Sequence, residues 1–172
     1  MLKWLKHAYQ RIRYGFSYRD VWAIDYWFLK VMPKMLRELA KTTHGYPSSM
    51  FLDEDKEKLD LKELNTERMS RWRNTLNDMA THFERADDLN DNTYINEYAD
   101  DLDNITEQYG LLKLMCKNDN EKLELMGKEK YDRYQEIHDK WFKRNLEINR
   151  EREEELKKGL EMFCKYFRDL WD

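Results

Sequence analysis

Three cations near the start of the chain are of the type that binds phosphate groups. Arg19, Lys30 and Lys34 lie close together in the sequence, and cationic side chains hold phosphate oxygens through charge-assisted hydrogen bonds. Aromatic side chains, on which a base can stack for about 1–3 kcal/mol, occur at Trp22, Tyr26, Tyr46 and Trp72. These residue types predict a site for a small phosphorylated ligand such as a nucleotide, although aromatic residues at helical spacing are also typical of a packed core.

Asp25 and His44 are ionisable candidates at the two ends of one predicted helix, near residues 18–43. An ionised carboxylate in an apolar stripe costs free energy unless it is paired, so we expect Asp25 to point inward. There it would bond either a buried donor that sets the helix register or an amino or hydroxyl group of a ligand. His44 would contact the ligand or, alternatively, be a solvated histidine favoured by the helix dipole. The apolar stripe reads Trp22, Asp25, Leu29, Met32, Leu36 and Leu39.

Pro33 lies inside the same predicted helix. It lacks a backbone N–H and its ring crowds the carbonyl of Leu29, so we expect a kink at this position. The kink would either bend the helix around a core or free a carbonyl for a ligand or a water molecule.

Signatures of catalysis with fixed spacing are missing from the sequence. It contains no G-x-x-x-x-G-K-[ST], G-x-G-x-x-G, H-E-x-x-H or G-x-S-x-G. The acids from Asp87 to Asp103 include Glu97 and Asp100, whose spacing of three is similar to the paired acids that hold Mg²⁺ in helical nucleotide pyrophosphohydrolases. No second matching pair accompanies them, and an acidic solvated face is the simpler interpretation. We therefore predict no catalytic residues, no metal and no cofactor, with Mg²⁺ required only if the protein is a hydrolase of that kind.

Charge is distributed unevenly along the 172 residues, although the net charge is only -4. Residues 1–50 carry nine Lys and Arg against three acids, a balance of +6, and also ten aromatic side chains. The remaining 22 cations and 32 acids give residues 51–172 a balance of -10. A basic, aromatic beginning predicts a small anionic ligand or a protein partner there, unless the two oppositely charged parts simply face each other within the fold.

Helix-forming residues dominate the chain, which has only two prolines and five glycines. The predicted class is therefore all-α, a single domain of residues 1–172 built as a helical bundle with a long, central, Pro-kinked helix near residues 18–43. Residues 53–64 are predicted to form a short surface helix, and Thr66 to cap a third helix that ends near Ala86. Met69, Trp72, Leu76, Met79 and Phe83 form its packing seam.

Further helices are expected at both ends of the chain. Leu2 to Tyr14 should form the first helix, ended by Gly15, and its apolar face should dock on the core, an anionic membrane surface being the alternative. Helical segments are predicted at 94–117 and 121–150, followed by a solvated charged stretch at 149–155 and a last helix. The last helix carries an apolar stripe of Leu156, Leu160, Phe163, Phe167 and Leu170.

Several other classes of protein do not fit the sequence. Cys116 and Cys164 are far apart, which predicts neither a metal site nor a disulfide but two small apolar side chains in a reducing cytoplasm. No apolar run approaches the roughly 18 residues of a membrane span, and the start of the chain lacks the apolar segment of a signal peptide. DNA is not expected as a partner, since no helix-turn-helix or basic helix is recognisable.

Three stretches resemble a family of short helical proteins from tailed phages and prophages. They are GFSYRDVWAIDYWFLKVMPKMLRELAKTTHGYP at 15–47, RWRNTLNDMATHFERA at 71–86 and GLEMFCKYFRDLWD at 159–172. The motifs that carry the resemblance are W-x-[IL]-[DN]-x-[WY], [HN]-G-Y-P, W-x-x-[IL]-L-x-x-M and L-F-x-K-Y-F-x-x-L-W-D. Thr75 stands where the third motif has an aliphatic residue. Residues 87–150 would be a variable helical insertion in this family.

The resemblance implies a phage protein acting in the host bacterial cytoplasm. With the charge split, it predicts an accessory binding protein, with counter-defence as a role, that sequesters a small phosphorylated or nucleotide ligand or blocks a host protein. The alternatives are a metal-dependent nucleotide pyrophosphohydrolase and a structural helical subunit of a larger assembly that forms homo-oligomers.

Overall fold

The computed structural model describes residues 3–50, 61–87 and 93–171. These residues form seven α-helices and no β-strand, which confirms the all-α class. Short 3₁₀ turns lie at Asp20–Ala23, Ser48–Met50 and Phe167–Asp169. The helices are α1 (Lys3–Tyr14), α2 (Ile24–Thr42), α3 (Leu61–Ala86), α4 (Ala99–Tyr109), α5 (Leu111–Met115), α6 (Asp119–Met126) and α7 (Lys128–Tyr166).

The chain divides into two compact units. The first unit comprises residues 1–90 and 152–172, and the second comprises residues 91–151. The predicted variable insertion, 87–150, has nearly the same bounds as the second unit. That residues 87–150 are an insertion within a family stays a prediction. The three motif-bearing stretches all belong to the first unit.

The core of the first unit is formed by α2, α3 and the end of α7. The predicted seam of α3 is confirmed from Trp72 to Phe83, since Trp72, Leu76, Met79 and Phe83 have no exposed surface, whereas Met69 is only half-buried. Edge-on aromatic contacts join the three helices, with Phe83 5.1 Å from Phe28 of α2 between ring centroids. Burial of such rings is the main favourable contribution to folding here.

Two close contacts determine how α3 sits against its neighbours. A Cβ atom at Gly159 of α7 would lie 2.9 Å from two ring carbons of Phe83, so only glycine allows this approach. On the other side, Arg37 of α2 donates a hydrogen bond from Nε to Glu84 at 2.7 Å and one to Thr81 at 3.2 Å. The planar guanidinium bonds the Glu84 carboxylate through two nitrogens, which adds directionality to the apolar packing.

The ends of α1 agree with the sequence, but its predicted docking on the core is wrong. Gly15 has φ of +79° and its N–H bonds the carbonyl of Arg11 at 2.9 Å, which ends the helix as expected. The apolar face is nevertheless exposed, with Tyr9 62% and Ile12 86% accessible. Polar contacts from Gln10 and Arg11 to the turn that follows hold the helix instead.

The predicted helix near residues 18–43 is divided in two. Its first part is the 3₁₀ turn Asp20–Ala23, and Ala23 then departs from helical geometry with φ of -144° and ψ of 62°. The α-helix proper starts at Ile24 and continues through Pro33, which is buried. The kink at Pro33 stays a prediction. The start of α2 is not central, since Ile24 is 63% exposed whereas Leu36 and Ala40 are buried.

Two other predicted boundaries are wrong. Thr66 lies inside α3 and its hydroxyl donates to the carbonyl of Lys62 at 2.9 Å, so it caps nothing. The charged stretch 149–155 is part of α7, and Glu155 is buried within it. Of the predicted surface helix at 53–64, residues 53–60 lie outside the described residues and 61–64 begin α3.

The second unit has its own small core. Leu102, Leu114, Met126 and Tyr134 are buried together. Gly110, with φ of +83°, separates α4 from α5 inside the stretch 94–117 that the sequence predicts to be helical. The following helix, α6, begins with a capping box between Asn118 and Glu121.

Both cysteine side chains lie at the surface. Cys116 and Cys164 are exposed free thiols. Cys164 lies on α7, and Cys116 directly follows the last residue of α5.

Candidate ligand groove on helix α2

Helix α2 has two faces with different roles. Phe28, Leu29, Met32 and Leu39 pack on the core. The opposite face, together with the end of α1 and the turn after it, lines a groove of about 880 Å³. The lining residues on α2 recur at helical spacing, so a single face of this helix forms one side of the groove. They are Tyr26, Trp27, Lys30, Val31, Lys34, Met35 and Glu38.

An ion pair between the exposed Arg11 and the buried Asp20 positions the wall of the groove that lies opposite α2. Asp20 is 8% exposed and accepts hydrogen bonds from Arg11 Nε at 3.0 Å and Arg11 Nη2 at 2.6 Å. It also accepts one from the backbone N–H of Ser17 at 2.7 Å. The hydrogen bond from Arg11 is the main reason why the pKa of Asp20 lies well below its ordinary value, while burial opposes the shift. Asp20 therefore stays ionised and ties α1 to the turn.

The charged side chains that line the groove have an excess of positive charge. Arg11 is neutralised by Asp20, and Lys30 Nζ lies 2.6 Å from a carboxylate oxygen of the buried Asp87. Arg19 and Lys34 also line the groove, and neither forms an ion pair with another residue of the described chain. Glu38, the second acid of the lining, pairs with Lys41 at 3.5 Å. The groove therefore offers two cations to an anionic ligand.

Aromatic and apolar side chains cover the floor between these cations. Tyr26 is 47% exposed and Trp27 is half-buried. Lys30 Nζ lies 5.7 Å from the centroid of the Tyr26 ring, a cation–π contact that steadies both side chains. Met35 is 58% exposed. A flat apolar group could lie on this floor while an attached anion meets Arg19 or Lys34.

The structure brings four of the candidate ligand-binding residues together and separates the others. The four that line the groove are Arg19, Tyr26, Lys30 and Lys34. Trp22 is 79% exposed but is not part of the groove lining. The irregular backbone at Ala23 interrupts the helical stripe, so Trp22 does not share the face of α2 that the sequence assigns to it.

The inward orientation predicted for Asp25 is wrong. Asp25 is exposed and lies in the first turn of α2. A carboxylate there is hydrated and interacts favourably with the positive end of the helix dipole. The core begins only farther along the helix, at Phe28 and Leu29. Asp25 therefore needs no buried partner.

Trp72 and Tyr46 are core residues rather than stacking faces. Trp72 has no exposed surface, and its ring packs edge-on against Tyr166 at 5.5 Å. Tyr46 packs partly against the same core, and its hydroxyl donates to Asn65 at 2.6 Å. His44 is exposed on the turn after α2, away from the groove lining.

The three stretches that carry the family motifs meet around one small cavity. Gly45, Tyr46 and Pro47 of the H-G-Y-P turn, Trp72 of α3 and the terminal Trp171 line one small cavity of about 60 Å³. It is too small for a nucleotide. The motif residues at this place thus pack the turn and the C-terminal segment onto α3.

Arg11 and Trp27 belong to the groove although neither is predicted from the sequence as a ligand-binding residue. Trp27 directly follows Tyr26, and helical spacing alone would place it beside Lys30 and Val31. Arg11 could be found only from the tertiary structure, because nothing in the sequence pairs it with Asp20.

The acids proposed for metal binding do not form a recognisable site in the described residues. Asp87 pairs with Lys30 and Glu97 lies 3.6 Å from Arg144. Among the described residues no group of three or more metal-binding side chains occurs. Asp88 and Asp91 lie outside them.

Replacement of Asp20 by asparagine is expected to loosen α1. Asparagine keeps the size of the side chain but loses the charge that holds Arg11, so amide protection in residues 3–14 should fall about tenfold. Hydrogen exchange followed by mass spectrometry measures this directly. Asp25→Asn is the matched control and should leave the exchange of α1 unchanged; equal effects of the two substitutions would contradict the role assigned to Asp20.

Comparison of the chain with protein-family models, with curated proteins and with solved structures gives no match. Within the described ranges, none of the helices combines the length and apolarity needed to cross a bilayer.

Proposed function

We propose that the protein is a binding protein that sequesters a small phosphorylated ligand, of the nucleotide class, in the groove on α2. The observation that carries the proposal is the pairing of two uncompensated cations, Arg19 and Lys34, with an aromatic floor in one cleft. Phosphate oxygens would meet the cations and a base would lie on Tyr26 or Trp27. A volume of about 880 Å³ is within the range of small-molecule sites.

The resemblance to phage proteins supports a particular use of such binding. A protein that withholds a nucleotide signal from the host would act as an accessory counter-defence factor in the bacterial cytoplasm. Sequestration requires binding alone, so no catalytic group is needed in the groove.

A thermal-shift screen against nucleotides and cyclic nucleotides tests the proposal. At a ligand concentration of 100 times Kd, binding to the folded state should add about 2.7 kcal/mol to the free energy of unfolding. No stabilisation by any member of the panel would reject the proposed ligand class.

The double substitution Arg19→Ala/Lys34→Ala connects binding to the groove. Hydrogen bonds to charged groups contribute about 1.5–3 kcal/mol each, so losing both should weaken the affinity at least about 100-fold by isothermal titration calorimetry. The control Lys113→Ala/Lys128→Ala removes the same charge from two exposed lysines elsewhere. If both double variants weaken binding equally, the ligand responds to net charge and the groove is not its site.

A second candidate function, blocking a host protein, is favoured by a different observation. Trp22 and Ile24 are 79% and 63% exposed beside the groove, and exposed aromatic residues frequently anchor protein interfaces. If the protein blocks a host protein, Trp22→Ala should abolish binding to that host protein. Nucleotides should then not stabilise the unaltered protein. The hydrolase and the structural-subunit interpretations remain predictions, testable by phosphate release with Mg²⁺ or Mn²⁺ and by molecular mass in solution.

A further inference from the structure

The apolar face of α1 is exposed and bordered by cations. Leu5, Tyr9 and Ile12, spaced by four and three residues, share one face and are 42%, 62% and 86% exposed. Lys6 and Arg13 each directly follow a residue of this stripe, and neither has an ion-pair partner in the part of the chain that the structure describes. An exposed apolar stripe of this kind marks an interaction surface.

A second exposed apolar surface lies on α7, within the same unit. It is a shallow hollow of about 420 Å³ whose surface is almost wholly apolar. Glu153 and Glu161 border it, and neither pairs with a cation among the described residues. The hollow is lined by Glu153, Leu156, Lys157, Leu160, Glu161 and Cys164.

The two surfaces match in length and in charge. At 1.5 Å per residue, Leu5 to Ile12 spans about 10 Å and Leu156 to Cys164 about 12 Å. The cations Lys6 and Arg13 are separated by about 10 Å along their helix, and the two bordering glutamates by about 12 Å. An apolar stripe flanked by two cations thus has its counterpart in an apolar hollow lined by two acids and one lysine, Lys157, whose net charge is opposite in sign to that of the stripe.

We propose that α1 of one copy packs on the α7 hollow of a second copy. Lys6 and Arg13 would then face Glu153 and Glu161 across the contact. Because every copy carries both surfaces, a two-fold symmetric dimer contains the contact twice and covers both exposed faces. An anionic membrane is the weaker alternative for α1, because it would leave the acidic-bordered hollow uncovered.

This inference does not depend on the proposed ligand function. None of Leu5, Ile12 and Leu160 lines the groove on α2, so substitutions at these positions test the dimer and leave the ligand site intact.

Light scattering coupled to size-exclusion chromatography provides the first test. The unaltered protein should have the mass of a dimer at micromolar concentration, and Ile12→Asp should raise the dimer dissociation constant at least about tenfold, since it places an acid against the acidic border of the hollow. Ile95→Asp is the control, because Ile95 is 71% exposed in the second unit. An unaltered protein that is monomeric at micromolar concentration would overturn the proposal.

Reversing the charges beside the α1 stripe and the α7 hollow tests whether these two surfaces pair with each other. The variants Lys6→Glu/Arg13→Glu and Glu153→Lys/Glu161→Lys should each be monomeric, since each would bring like charges together in both contacts. Mixed in equal amounts they should form a heterodimer, in which both contacts again join opposite charges. Failure of the mixture to associate, while the unaltered protein is a dimer, would show that other surfaces form the interface.

A disulfide cross-link provides the third test. In a Cys116→Ser background, Ile12→Cys should form an intermolecular disulfide with the native Cys164 under mild oxidation, seen as a dimer on a non-reducing gel. The same protein with Cys164→Ser should not. A disulfide-linked monomer would show that α1 packs on its own α7, and monomers that bind anionic vesicles through Ile12 would assign the face to a membrane; either result contradicts the proposal.

Discussion

Replacement of Trp72 by alanine is expected to lower the free energy of unfolding by about 3–5 kcal/mol. Trp72 has no exposed surface and packs on Tyr166 of α7. Alanine would leave a cavity between α3 and the end of α7, and the surrounding side chains can fill it only in part. Urea denaturation monitored by circular dichroism measures the loss.

Trp22→Ala is a closely matched control for this prediction. The same residue type is removed, and the sequence assigns the same stacking role to both tryptophans, but Trp22 is 79% exposed. Its removal should change stability by less than about 0.5 kcal/mol. Equal effects at the two positions would contradict the core that we describe.

Trp72→Phe separates packing from ligand binding. Phenylalanine retains an aromatic ring in the core, so this variant should stay folded with a loss smaller than that of alanine. Since Trp72 is not part of the groove, Trp72→Phe should bind nucleotides as the unaltered protein does. If a folded Trp72→Phe protein does not bind nucleotides, Trp72 is part of the ligand site.

Substitution of Glu155 by glutamine is the second change with a large expected effect. Glu155 lies on α7 and is 9% exposed. One carboxylate oxygen lies 2.8 Å from Nδ1 of His82 on α3, and the other accepts a hydrogen bond from Lys158 at 2.8 Å. Glutamine cannot replace a carboxylate that faces two basic side chains, and we expect a loss of about 1–3 kcal/mol at neutral pH.

The pH dependence of stability identifies the charge as the cause. Burial by itself raises the pKa of Glu155, but hydrogen bonds from Lys158 and His82 outweigh it, so the pKa is lower in the folded protein than the ordinary 4.5. A carboxyl with a lowered folded pKa binds protons more readily when unfolded, so its stabilisation is present above pH 4.5 and is lost as the pH falls through the folded pKa. The unaltered protein should therefore lose stability below about pH 5 more steeply than Glu155→Gln does.

Glu154→Gln is the control for this prediction. Glu154 is exposed and precedes Glu155 in the same helix. Its substitution should change neither the stability at neutral pH nor the slope of stability against pH measurably. A stability curve for Glu155→Gln that is parallel to that of the unaltered protein would show that the lost free energy does not come from the ionised carboxylate.

Side-chain periodicity was sufficient for much of the fold. The repeat of apolar residues from Trp72 to Phe83 predicts both the helix and its buried face, because a continuous helix carries residues three and four apart to the same side. The same rule predicts the apolar stripe of α2 from Leu29 to Leu39, which packs on the core as expected. It fails before Ile24, since Ala23 leaves helical geometry and the residues before it no longer share that face.

Burial of individual polar residues was predicted less well. Asp25 is exposed although it belongs to an apolar stripe, while Glu155 is buried although it belongs to a charged run. The local sequence pattern does not determine whether a given polar side chain is buried. Whether a helix face is covered depends on which distant helix packs there, and only α3 brings His82 to Glu155.

The sequence by itself determined the all-α class, the seam of α3, the end of α1 at Gly15 and the contrast between a basic beginning and an acidic remainder. These follow from properties that act over a few residues, namely helical periodicity, the φ of glycine and side-chain charge. The tertiary structure alone decided which candidates share a groove, because Arg11 and Arg19 approach α2 only after the chain turns at the Arg11–Asp20 ion pair. The exposure of the α1 stripe and of the α7 hollow was decided in the same way, by the absence of a covering element in the described chain.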